Sequence, residues 1–136
     1  MGGSDEPGDD ATVCDSDPLW RRIHPDQVLF DRNLGSWRPS SAAFNDHPNG
    51  TPMSVVLGND VLKASRSPEA LLNDHAGYSL ASVTAGLARS CEQIVYRAPV
   101  ADEPAHAEVK GVKSKTVRKR FAKEAAWVVL RRQTGS

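Results

Sequence analysis

Apolar and polar positions divide this chain into short elements separated by turn formers. "MSVVL" (53–57) is an apolar run closed by Gly58-Asn59-Asp60 and predicts a short buried strand. "YSLASV" (78–83) alternates weakly and predicts another, after which Thr84 can cap a short "AGLARSC" helix. "QIVYRA" (93–98) and "AHAEVKGV" (105–112) are rich enough in β-branched and aromatic residues to be strands, joined by the turn-forming "PVADEP". In "SPEALLND", Ser67 stands where an N-cap belongs, with Pro68 and Glu69 in the first turn, which predicts a short helix stopped near Gly77. "LWRRIH" (19–24) suits a first strand or a short helix, and "QVLF" (27–30) is a second apolar patch punctuated by Pro25, Asn33 and Gly35. Turn formers dominate residues 36–52.

The last element is the most periodic. Val117, Phe121, Ala125 and Val128 recur at helical spacing, with Ser114 or Thr116 as the cap, and predict an amphipathic helix near 115–128. Its other face carries Lys115, Lys119 and Lys123 in one stripe beside Arg118. The pattern predicts an α+β fold: a small, mostly antiparallel sheet of strands near 53–57, 78–83, 93–98 and 105–112, packed against this C-terminal helix.

Length and composition fit one soluble domain of 136 residues with 39% apolar positions and no apolar run long enough to span a membrane. Nothing at the N-terminus resembles a secretory or transit signal, so a cytoplasmic setting is expected. Cys14 and Cys91 are too few for a disulfide framework. Zero net charge hides an asymmetry: residues 1–17 hold six of the 17 acids and none of the 17 Lys and Arg, so the remainder carries a net +6. Residues 1–17 therefore read as a disordered acidic tail ahead of a single domain over 18–136, and a flexible tail of this kind is able to fold onto the basic helix as an intramolecular decoy.

The basic helix suggests binding of an anionic, phosphate-bearing partner, nucleic acid foremost, through Lys115, Arg118, Lys119 and Lys123. In the "RPSS" loop, the Arg38 guanidinium and the Ser40 and Ser41 hydroxyls suit a phosphate or carboxylate, although serines there also suit capping of a short "SAAF" helix. On the strand near 105–112, His106, Glu108 and Lys110 share one face, an arrangement open to acid–base chemistry as well as to a polar sheet edge. No His or Cys pair has metal-ligand spacing, and no cofactor motif, nucleophile elbow or phosphate-binding glycine loop is present. Trp20, Trp37 and Tyr78 are candidate anchors for a protein partner, as a third reading.

At "LWRRI", "WRPSSAAF" and "PAHAEVKG" the chain resembles a group of small bacterial proteins of unknown function, a likeness that implies a compact α+β domain. A fainter similarity is to the RES-type branch of the ADP-ribosyltransferase fold, with Arg21 or Arg22 as its first arginine, "GSWRPSSAAF" as its turn and "MSVVL" as the next strand. That resemblance implies a nucleotide- or NAD-acting enzyme in which Arg22 binds phosphates, Ser41 braces the pocket and Glu108 polarises the ribose; the corresponding enzymatic reading expects Arg38 and His106 to converge with them in one cleft. The chain departs from it in having no Gly-Gly before the turn and no paired glutamates on a strand.

Overall fold

The computed structural model describes residues 7–131, and the strand at its centre is β1 (Pro18–Ile23). With β2 (Val28–Asp31), β3 (Ser36–Pro39), β4 (Met53–Leu57), β5 (Ser79–Thr84), β6 (Ile94–Arg97), β7 (His106–Lys110) and β8 (Ala126–Val129), the described chain has eight strands. Six form one sheet in the order β6-β7-β4-β1-β5-β8, and β2 and β3 form a separate hairpin. Every pair is antiparallel. The helices are α1 (Gly58–Lys63), α2 (Ala85–Ser90) and α3 (Lys115–Glu124), with Thr84 and Ser114 capping the latter two through their hydroxyls. The architecture is α+β, as the sequence predicts, and the ambiguous "LWRRI" segment is its central strand.

Register fixes which side chains share a face. Leu19 lies opposite Leu57 and Val83, while Trp20 lies opposite Val56 and Ser82, so successive residues of β1 project to opposite sides. On one side Leu19, Ile23, Met53, Val55, Ala107 and Val109 are buried, and Phe44 and Phe121 meet edge to face at 5.9 Å in the same core. Phe121 sits mid-way along α3, so the apolar stripe of that helix does face the core. The other side is covered only in part. Trp20 and Val56 are buried there beside α1, where a Cβ on Gly58 would lie 2.5 Å from the Trp20 indole; no side chain fits between them.

Arg21 ties the covered side together. Its Nε donates to the Ala43 carbonyl at 2.9 Å, Nη1 to Ser54 O at 2.8 Å and Nη2 to Asn45 O at 3.3 Å, joining β1 to β4 and to the loop that supplies Phe44. Burial, together with the neighbouring Arg22 charge, lowers its pKa to about 10, so it remains protonated at neutral pH. Close by, the Lys113 ammonium is buried against Asp46 at 2.9 Å, with bonds to the carbonyls of Val109 and Gly111.

Two expectations need correction. The C-terminal helix ends at Glu124, not near 128: Ala125 is already extended, and "AWVV" leaves the helix to pair with β5 as an edge strand. Strand hydrogen bonds, the Trp127 Nε1 donation to Trp37 O at 3.0 Å and the Arg131 N–H donation to Ser79 Oγ at 2.8 Å outweigh the helical spacing of Ala125 and Val128. Residues 7–17, expected to be disordered, are docked. Asp10 N–H donates to Val95 O at 2.8 Å, Val95 N–H to Asp9 Oδ1 at 2.9 Å, and Val13 is 1% exposed. Arg89 clasps Asp9, Asp15 and the Asp10 carbonyl, and Arg97 reaches Asp10, Thr12 and Asp60. These acids are held by Arg89 and Arg97 rather than by α3, which removes the decoy for the described residues; Asp5 and Glu6 lie outside them.

Two outcomes are expected in denaturant unfolding. Deleting residues 1–17 lowers stability by about 2 kcal/mol through loss of the Val13 burial and the Arg89 clasp; an unchanged midpoint would show that this segment does not hold the fold. Arg21→Met costs on the order of 2–3 kcal/mol by stranding partly buried carbonyls, and Arg21→Lys recovers only part because one ammonium cannot span all three.

Candidate functional site

Two clefts gather the polar residues that sequence singled out. The first lies between α3 and the β2–β3 hairpin. Arg38 and Asp31 both project from the hairpin, with Arg38 Nε donating to Asp31 Oδ2 at 2.9 Å and Nη1 to Pro39 O at 3.1 Å. Lys119 and Lys123, one turn apart on the exposed side of α3, share with Arg38, Ser41 and Asp31 a cleft of about 230 Å³. Three cations face one carboxylate there. The single acid of the helix, Glu124, pairs with Arg120 at 3.8 Å, so Lys115, Lys119 and Lys123 have no acidic partner among the described residues. Arg118 is half-buried with Nε bonded to Lys113 O at 3.1 Å, so that nitrogen serves the structure while the rest of the side chain adds charge to the same helix. Ser40 does not belong to the cleft: its hydroxyl accepts from Ala42 N–H at 3.2 Å and caps the 3₁₀ turn Ser41–Ala43.

The second cleft opens on the partly covered side of the sheet. Arg22 on β1, Ser54 and Val56 on β4, and His106 and Glu108 on β7 share that side, because Val56 pairs with His106 and Ser54 with Glu108. Arg22 Nε donates to Leu71 O at 2.8 Å, in the 3₁₀ turn Pro68–Leu72 that Ser67 caps. The guanidinium lines a cavity of about 360 Å³ with His106, Arg66, Glu103, Asp74 and Asp102. Burial and the Arg66 charge lower the Arg22 pKa, against the opposing pull of Glu103. Arg66 and Glu103 form a bidentate pair at 2.8 and 2.7 Å, and Glu103 also accepts from Ala105 N–H at 3.0 Å. His106 Nδ1 lies 2.7 Å from Ala98 O; a carbonyl only accepts, so Nδ1 carries a proton, and in the neutral ring Nε2 is then the acceptor. A hollow around Ser54, also lined by Trp20, Arg22 and His106, adjoins this cavity.

The structure thus separates the residues expected to share one enzymatic cleft. Arg22 and His106 come together; Ser41 and Arg38 belong to the α3 cleft. Glu108 shares the sheet face with His106, yet its carboxylate accepts from Tyr96 OH at 2.7 Å, and burial plus that bond push the Tyr96 pKa up. The set Arg22, Ser41 and Glu108 implied by the transferase resemblance does not converge. Trp20 is 5% exposed and is core rather than an anchor. Trp37 and Tyr78 are half-buried, and Tyr78 stands between the edges of His24 and His75. Among the described residues no group of three or more His, Cys, Asp or Glu is placed to hold a metal ion, and no helix is long and apolar enough to cross a membrane. No protein-family model, curated protein or solved structure matches this chain.

Sequence reasoning missed Arg66, Glu103 and Ser54. Ser54 was within reach, as the one polar residue in "MSVVL". The Arg66–Glu103 pair joins two turn segments 37 residues apart and leaves no local signal.

Donation by Arg66 holds the Glu103 carboxyl below the ordinary carboxylate range, against desolvation. A folded pKa below the unfolded one stabilises at neutral pH and ceases to do so as pH falls through the lowered folded value. Glu103→Gln therefore costs about 2 kcal/mol at pH 7, and the difference from wild type shrinks on acidification below pH 4. A pH-independent difference in urea midpoints would remove this assignment.

Proposed function

We propose that this chain is a cytoplasmic binding domain for an anionic, phosphate-bearing partner, with nucleic acid the foremost candidate, held by the exposed face of α3 and by Arg38. The convergence of Lys119, Lys123 and Arg38 on one cleft, opposed only by Asp31, carries the reading. Lys115, a turn earlier on the same stripe, and Arg118 extend the positive surface along the helix. Charges spaced along a helix without acidic partners neutralise successive phosphates and contact the backbone rather than base edges. Recognition of this kind is strongly salt-dependent and weakly sequence-dependent. The two free cysteines, one of them exposed, are compatible with a reducing compartment.

The enzymatic alternative loses its geometric support with Ser41 and Arg38 in a different cleft from Arg22 and His106. Binding to a short duplex and to a single strand, measured by anisotropy over a salt series, tests the proposal. The expected affinity falls steeply with salt, and Lys119→Gln/Lys123→Gln reduces the logarithmic slope by about 1–2 for both ligands. Absence of binding at low salt, or binding with no salt slope, would defeat the proposal.

A further inference from the structure

The cavity around Arg22 has a different character from the α3 cleft. Its cationic member is sited with one edge engaged and the other open: Nε is taken by Leu71 O, and Nη1 and Nη2 have no partner among the described residues. Arg66, the second guanidinium, is neutralised by Glu103. The acceptors are equally definite. His106 gives Nδ1–H to Ala98 O, so its neutral ring presents Nε2 as a lone pair, and the exposed rim carries Asp74 and Asp102, neither with a hydrogen bond or ion pair among the described residues. A bare anion would satisfy Arg22 but meet the two rim carboxylates; a bare cation would meet Arg22. The lining matches a molecule that has both signs.

The geometry points to a site for a small zwitterion of the amino acid class, its carboxylate on the open edge of Arg22 and its ammonium donating to His106 Nε2 and the Asp74–Asp102 rim. A planar guanidinium edge receives a carboxylate through two parallel N–H···O bonds, whereas an ammonium is a donor only and requires acceptors such as these. The volume, about 360 Å³, is at the small end of ligand cavities and suits a ligand of this size. This site is independent of α3 and stands or falls separately from the phosphate-binding proposal.

The full chain is titrated calorimetrically with each of the twenty standard amino acids and, for any that binds, with its N-acetyl and carboxamide forms. At least one amino acid is expected to bind, with both blocked forms weaker by about tenfold or more. Arg22→Gln, which keeps a donor for Leu71 O and removes the charged edge, lowers affinity by about tenfold or more. His106→Asn, which keeps an N–H for Ala98 O and removes Nε2, lowers it by about threefold to tenfold. Lys119→Gln/Lys123→Gln leaves it unchanged. If Arg22→Gln fails to fold, as judged by circular dichroism, His106→Asn and Asp74→Asn/Asp102→Asn decide the matter. No binding by any amino acid, equal binding of the N-acetyl form, or full affinity in all folded cleft variants overturns the site.

Discussion

The alternation of side chains along β1 governs the rest of the molecule. Arg21 and Arg22 are adjacent in sequence and project to opposite sides of the central strand. Arg21 enters the covered side and satisfies three carbonyls; Arg22 enters the partly covered side and keeps one edge open. Six consecutive residue pairs with β5 fix the register. A slip of one residue would turn Leu19 and Ile23 away from the covered side of the sheet and bring Trp20 and Arg22 onto it. Fold and clefts therefore rest on the same period of two.

Charge is distributed by a second rule, in which acids and bases far apart in sequence are matched and the unmatched ones mark the surface. Arg89 and Arg97 take up the N-terminal acids, Arg66 takes Glu103, and Lys113 takes Asp46. Among the charges left unmatched are the lysines along α3, the open edge of Arg22, and the carboxylates of Asp74 and Asp102. A net charge of zero over the whole chain conveys none of this, because the matching depends on topology rather than on totals.

Legibility in the sequence followed the range of the interactions involved. Strands set by local β-branched runs, such as Met53–Leu57 and Ile94–Arg97, and caps set by a single hydroxyl, such as Ser67, Thr84 and Ser114, were visible along the chain. The end of α3 was not, because Trp127 and Val129 find partners on β5 that lie more than forty residues away. The docking of residues 7–17 was hidden for a similar reason: an acidic, Gly-rich composition argues for disorder unless complementary arginines wait elsewhere, and Arg89 and Arg97 do. Among site residues, the company of Lys119 and Lys123 on one stripe was legible, whereas Arg38 joining them required the hairpin to fold against the helix.

Docking of the N-terminal segment also bears on how copies of this chain coexist in solution. β6 is an outer strand of the sheet, and the outward-facing N–H and C=O of Val95 are those occupied by Asp9 and Asp10. Such groups, left bare, form a template onto which a strand from another molecule adds. The opposite edge, β8, is only four residues long and pairs across an irregular register, a shape that itself discourages extension. The N-terminal segment thus occupies, at Val95, the edge groups that would otherwise receive a strand from another copy.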